Sequence, residues 1–116
     1  MRLLTPSYDG WAQQFQILRA SGGWKIVVSS ATSKCVDLAG GAIDNGTKLV
    51  INDCNGASSQ SWAVTADVQT GAFVFKNVAA GRCLDENNWD TSPGVPMQVW
   101  DCGGGTNQKY YIQAVE

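Results

Sequence analysis

The 116 residues make one domain's worth of chain, with a net charge of −2 and no basic run, which argues against a nucleic-acid partner. Histidine is absent, which removes the usual general base, the histidine-dependent triads and the commonest metal ligand. No apolar stretch approaches the ~20 residues needed to span a bilayer as a helix, so membrane insertion is not expected.

The opening residues, MRLLTPSYDGW, carry Arg2 but no apolar run before Pro6, so no secretory leader is read there. Residues 1–22 hold Leu3-Leu4, a loop with Tyr8 and Trp11, and then a strand-like run over 13–20. Short runs rich in Val, Ile and aromatics follow at 24–29, 34–38, 48–52 and 60–66, and again at 72–78, 82–85, 97–100 and 108–113. Turn signals separate them: Gly22-Gly23, Gly40-Gly41, Asn45-Gly46, Asn55-Gly56, Thr70-Gly71, Pro93-Gly94 and Gly103-Gly104-Gly105. Nothing sustains a 3.6-residue apolar period, so the chain is expected to be all-β, with no helix beyond single turns. Asn45-Gly46-Thr47 has the form of a glycosylation sequon but reads better as an Asn-Gly turn. The three glycines lack the helix and Lys-Ser/Thr of a phosphate loop. Asp85 and Glu86 are adjacent on a strand and point to opposite faces, so they do not flank one glycosidic bond.

An internal repeat governs the rest. Cys35, Asp37, Cys54, Gln60 and Trp62 recur 48 positions later as Cys83, Asp85, Cys102, Gln108 and Tyr110. A third Gln-x-aromatic tripeptide, Gln13-Gln14-Phe15, lies upstream without a cysteine pair. The chain therefore divides into a partial repeat at 1–22, a full repeat at 23–70 and a second full repeat at 71–116. Zinc sites bring cysteines two to four residues apart, whereas these lie 19 apart in each copy. Two disulfides, Cys35–Cys54 and Cys83–Cys102, are the natural reading and imply an oxidising, extracellular setting; the alternative is four reduced core cysteines.

A four-stranded unit that opens with Cys-x-Asp, has its second cysteine 19 residues on and ends in Gln-x-aromatic resembles the ricin B-type lectins. These are the Gln-x-Trp β-trefoils, also classed as family 13 carbohydrate-binding modules. The resemblance covers nearly the whole chain. It implies a β-trefoil of four-stranded repeats, here two complete repeats plus the C-terminal half of another. It also implies that the tripeptides, Gln13/Phe15, Gln60/Trp62 and Gln108/Tyr110, build the fold, with the aromatic in the core and the Gln bracing a turn. Ile17, Val64 and Ile112 share the same strand face as those aromatics. Because the partial repeat lacks its first two strands, an unclosed trefoil with open edges is expected, covered by a second copy or by another part of a parent protein.

A sugar ring offers an apolar C–H face and a rim of hydroxyls, so its site needs an aromatic platform and convergent carboxylate and amide groups. On the resemblance, these positions in the second full repeat are Asp85 (carboxylate), Trp100 (platform), Gln98 and Asn107 (amides). Asn88 and Trp89, in the following loop, are candidates for a neighbouring sugar unit. The first full repeat keeps Asp37 but has Val50, Asn52 and Ser59 at the other positions, so its site is expected to be dead or very weak. The resulting expectation is non-catalytic binding of galactose-type sugars (galactose or N-acetylgalactosamine) or a pentose polymer, with no cofactor and no metal. The alternatives are a module detached from a secreted xylan- or arabinan-degrading glycoside hydrolase, and a sugar-silent interaction or inhibitor domain.

Overall fold

In the computed structural model each cysteine-bearing repeat folds as four short strands, as its turn signals require; the structure describes residues 2–4, 15–20, 22–86, 97–103 and 105–113. The strands are β1 (Arg2–Leu4), β2 (Phe15–Ala20), β3 (Gly23–Val28), β4 (Ala31–Leu38), β5 (Leu49–Asp53), β6 (Trp62–Ala66), β7 (Phe73–Asn77), β8 (Cys83–Glu86), β9 (Met97–Trp100) and β10 (Tyr111–Gln113). Strands β3–β6 form the first full repeat and β7–β10 the second. The helical content among the described residues is single 3-10 turns at Ala39–Gly41, Ser58–Gln60 and Thr106–Gln108. Gln60 and Gln108, expected inside strands, sit in the last two of these turns, where their carboxamides are used as described below.

The strands do two jobs. Neighbours pair antiparallel in the order β10-β1-β2-β3-β6-β7, and the path returns on itself where Phe73 bridges Tyr110. That bridge carries two backbone bonds, Phe73 N–H to the Tyr110 carbonyl at 2.7 Å and Tyr110 N–H to the Phe73 carbonyl at 2.9 Å. These six strands form a closed ring. The other four are two hairpins, β4–β5 and β8–β9, attached to it through β3 and β7.

This arrangement corrects one expectation. With its first two strands missing, the partial repeat is expected to offer Leu3-Leu4 as the third strand of a repeat and to leave the barrel open. Instead β1 lies between β10 (Leu3 opposite Ile112) and β2 (Arg2 opposite Gln16), the position of a first strand. The reason is pairing capacity. A third strand such as β5 pairs, among the described residues, with its hairpin partner β4, whereas β1 has a neighbour on each side. Strands β10 and β2 each present a row of unpaired backbone groups, and β1 satisfies both. Among the described residues β1 is paired on both sides, so the ring closes at this point. Gln13 lies outside the described residues.

The core collects what the repeat predicts. Phe15, Trp62 and Tyr110 are buried together with Ile17, Ile26, Val36, Phe75, Leu84 and Val99. Tyr110 meets Phe75 edge to face, with ring centroids 5.8 Å apart. Ile17, Val64 and Ile112, matched in sequence, converge with Trp24 and Phe73 around one apolar recess of about 210 Å³. Both disulfides are formed, Cys35–Cys54 and Cys83–Cys102, so the reduced-cysteine alternative falls. Each closes the open end of one hairpin, which the chain-entropy model values at roughly 3 kcal/mol.

Gly23 marks a close approach between the ring strands β3 and β6. It has a φ of 154°, and a Cβ there would lie 2.7 Å from the Trp62 carbonyl oxygen. Gly23→Ala is expected to cost about 1–3 kcal/mol by forcing β3 away from β6, measured as a lowered midpoint in denaturant unfolding. An unchanged midpoint would mean that this contact does not constrain the ring.

Candidate functional site

The β8–β9 hairpin places the candidate residues. Its register sets Asp85 directly opposite Gln98, and Cys83 opposite Trp100. Leu84 and Val99 are fully buried on the core side. Gln98 and Trp100, alternating with Val99, therefore share the other face of β9. Trp100 is 45% exposed, whereas Asp85 is 5% exposed and lies at the bottom of the arrangement.

The Asp85 carboxylate is held from two sides. Gln98 Nε2 donates to Oδ1 at 3.2 Å, and Gln108 Nε2 donates to Oδ2 at 3.0 Å. Gln108 was assigned to the fold alone; its contact with the carboxylate gives it a second job, orienting a site residue. The signal was present in the sequence, because Asp37 and Gln60 are separated by the same 23 positions and make the same bond, at 3.0 Å. Asn107 is placed differently from the other three. Its carbonyl accepts the Tyr110 hydroxyl at 3.2 Å, and its Oδ1 lies 2.7 Å from where a Cβ on Gly105 would stand. No hydrogen bond among the described residues links its amide to Asp85. The structure thus joins Asp85, Gln98 and Gln108 and sets Trp100 beside them; Asn107 borders the group through Gln108. Asn88 and Trp89 lie outside the described residues.

A turn from the other repeat also reaches this hairpin. Gly46, at φ 86°, donates its N–H to the Val99 carbonyl at 2.8 Å, and Asn45 bonds Asp101 through both ends of its carboxamide. The Asn-Gly turn is as expected; its docking 56 residues away was not legible, because nothing local marks it.

The first repeat shows what the same scaffold becomes without a platform. Asn52 stands where Trp100 stands and donates to Asp37 Oδ2 at 3.1 Å, alongside Gln60 at 3.0 Å; the Leu38 amide donates to Oδ1 at 2.7 Å. Burial pushes the Asp37 carboxyl up, but hydrogen bonds from Ser59, Asn52, Gln60 and the Leu38 amide outweigh it and hold the pKa below 3.8. That carboxylate is satisfied internally. Among the described residues Asp85 accepts side-chain hydrogen bonds from Gln98 and Gln108, and an exposed indole stands on the same hairpin face; a carboxylate and an indole so placed can accept a ligand hydroxyl and stack on an apolar ring face.

Known proteins carry the same pattern. The family model described as the ricin-type β-trefoil lectin domain matches residues 22–115. A curated relative, serine protease 1 of Rarobacter faecitabidus, is 35% identical over 120 residues, covering 72% of this chain and 23% of its own length. The chain thus spans less than a quarter of that relative. Among solved structures, the exo-β-1,3-galactanase of Clostridium thermocellum superposes with a TM-score of 0.79 at 23% identity, over 98% of this chain and 30% of the other. The designed threefold-symmetric protein ThreeFoil does so with a TM-score of 0.76 at 23% identity, over 98% and 81% respectively. Both are β-trefoil neighbours in fold.

The Asp37 network makes stability depend on acid. In the unfolded chain this carboxyl titrates near 3.8, and in the fold its value is lower. Its stabilisation is therefore present in full above that range and is lost as pH falls through the lowered native value. Asp37→Asn is expected to cost roughly 1–3 kcal/mol at neutral pH, with the deficit narrowing in denaturant titrations run at about pH 3. A deficit independent of pH would sink this assignment.

Proposed function

The chain belongs to the ricin-type β-trefoil lectin domain family, and we propose that it is a non-catalytic carbohydrate-binding module with one main site on the β8–β9 hairpin. The observation that carries this reading is the pairing of a buried, doubly braced carboxylate, Asp85, with an exposed indole, Trp100, on one hairpin face. In this reading Trp100 stacks against the C–H face of the sugar. Asp85 and Gln98 engage its hydroxyls, and Asn107 supplies the outer amide. Asn88 and Trp89 are assigned to an adjoining sugar unit on sequence grounds. A galactose-type sugar is the first candidate, with pentose polymers as the alternative.

The two-disulfide framework suits an extracellular protein. The match to less than a quarter of a protease favours a further role, in which the domain is appended to a larger secreted protein and delivers it to a glycan surface. A single shallow site gives an affinity on the order of 0.1–1 mM, about −4 to −5.5 kcal/mol. Strong retention then comes from several modules acting together.

A glycan array followed by calorimetric titration with galactose, N-acetylgalactosamine and xylobiose tests the proposal. Trp100→Ala and Asp85→Asn are each expected to weaken binding at least tenfold, whereas Asp37→Asn leaves it unchanged. A wild-type chain silent on galactosides, xylan and arabinan would instead point to a sugar-silent interaction domain.

A further inference from the structure

We propose that the turn at residues 45–47 of the first full repeat is a positioning element for the Trp100 platform, with Asn45 as its key side chain. The inference rests on the reading of Trp100 as a sugar platform and names what holds that platform in shape. Both backbone flanks of Trp100 are pinned by this one turn. On the N-terminal side, the Gly46 N–H donates to the Val99 carbonyl at 2.8 Å and the Val99 N–H donates to the Thr47 carbonyl at 3.0 Å. On the C-terminal side, the Asp101 N–H donates to Asn45 Oδ1 at 2.7 Å and Asn45 Nδ2 donates to Asp101 Oδ2 at 3.0 Å. Lys48 continues the contact as a bridge partner of Gln98.

The ring itself touches the turn. A Cβ on Gly46 would lie 3.5 Å from Trp100 Cζ3, so the Gly46 backbone lies against the benzo edge of the indole. Its φ of 86° favours glycine at this point. Arg82 locks the assembly from beneath. Its guanidinium pairs with the other Asp101 oxygen, and its Nε donates to the Ile43 carbonyl at 2.8 Å. The Asn carboxamide suits this geometry, because one side chain both accepts from a backbone N–H and donates to a carboxylate. An aspartate would lose the donor and set a second carboxylate against Asp101.

The consequence is preorganisation. Trp100 is the last residue of a four-residue strand and is 45% exposed. A side chain so placed loses rotamer freedom when a ligand stacks on it, unless it is already held. The first repeat solves the same problem locally, since Asn52 at the matching position is tied to Asp37 within its own hairpin. In the second repeat the restraint comes from across the repeat boundary.

The test uses the intact chain carrying Asn45→Ala. The readout is the ¹⁵N heteronuclear NOE of the Trp100 indole N–H, assigned by its disappearance in Trp100→Phe, with the buried Trp62 indole as internal reference. The Trp100 value is expected to fall toward that of a mobile side chain while the Trp62 value stays put. Galactose affinity is expected to weaken roughly three- to tenfold, and Asn45→Asp to restore neither property. An unchanged Trp100 NOE in Asn45→Ala overturns the proposal, whatever happens to affinity. A wild-type chain that binds none of the sugars sinks the lectin reading instead, and the NOE still decides whether the turn holds the ring.

Discussion

The carboxamide of Gln108 is the point on which the second repeat turns. Its Nε2 donates to Asp85 Oδ2 at 3.0 Å and to the Asp101 carbonyl at 2.9 Å, while its Oε1 accepts the Gly103 N–H at 2.9 Å. One buried side chain thus ties the backbone on both sides of Cys102 to the residue two places beyond Cys83. Gln60 does the same around Cys54, with Asp37, Asp53 and Asn55 as its partners. Each disulfide closes a hairpin covalently, and each Gln fixes the direction in which that hairpin leaves the ring. A buried carboxamide with its donors and acceptor satisfied adds about 1 kcal/mol per bond, but removing it would strand a buried carboxylate and two backbone groups. That asymmetry explains why the tripeptide's polar member recurs in both full repeats at the same offset from its aspartate.

The brace also divides the aspartate. One oxygen serves the fold in both repeats, and the two copies differ in what happens to the other. In the first repeat the Leu38 amide takes it, and Asn52 adds to the structural side. In the second, Gln98 reaches it at a longer 3.2 Å, and the position of Asn52 is given over to an exposed indole. Among the described residues, the carboxylate of the first hairpin is tied by a backbone amide and by Asn52 and Gln60, and that of the second by Gln98 and Gln108. On the proposed reading, binding is set by outward hairpin residues that can be exchanged without disturbing the brace.

Much of this was legible in the sequence, and what was missed shares a physical cause. The strands follow from local alternation and the disulfides from the repeat offset, both of which are written along the chain, and the burial of Phe15, Trp62 and Tyr110 is what the family resemblance implies. The closure of the ring by Arg2–Leu4 was not legible, because a three-residue strand has no periodicity to detect and the strand it joins to β2 lies more than a hundred residues away, at Tyr111–Gln113. The docking of Asn45 on Asp101 was hidden for the same reason. An Asn-Gly pair announces a turn but not the surface that turn will meet. The side chain of Asn107 lies over Gly105, with Oδ1 2.7 Å from where a Cβ on that glycine would stand, a placement that its position beside Gln108 does not announce.

Ring and hairpins therefore carry different obligations, and the two full repeats record the difference within one chain. Positions on or beside the ring strands keep their character: Trp62 and Tyr110 are both fully buried, and Ile17, Val64 and Ile112 line one recess. Positions on the hairpins do not: Val50 and Asn52 face the same way as Gln98 and Trp100 but share none of their chemistry. Altering a ring residue would disturb packing around the whole closed circuit, whereas altering an outward hairpin residue disturbs a surface that one disulfide and one Gln already hold. The cross-repeat contact at Asn45 is the exception that follows from this rule. An outward-facing aromatic at a strand end gains little from its own hairpin, so its restraint has to come from the neighbouring copy that the closed ring brings alongside.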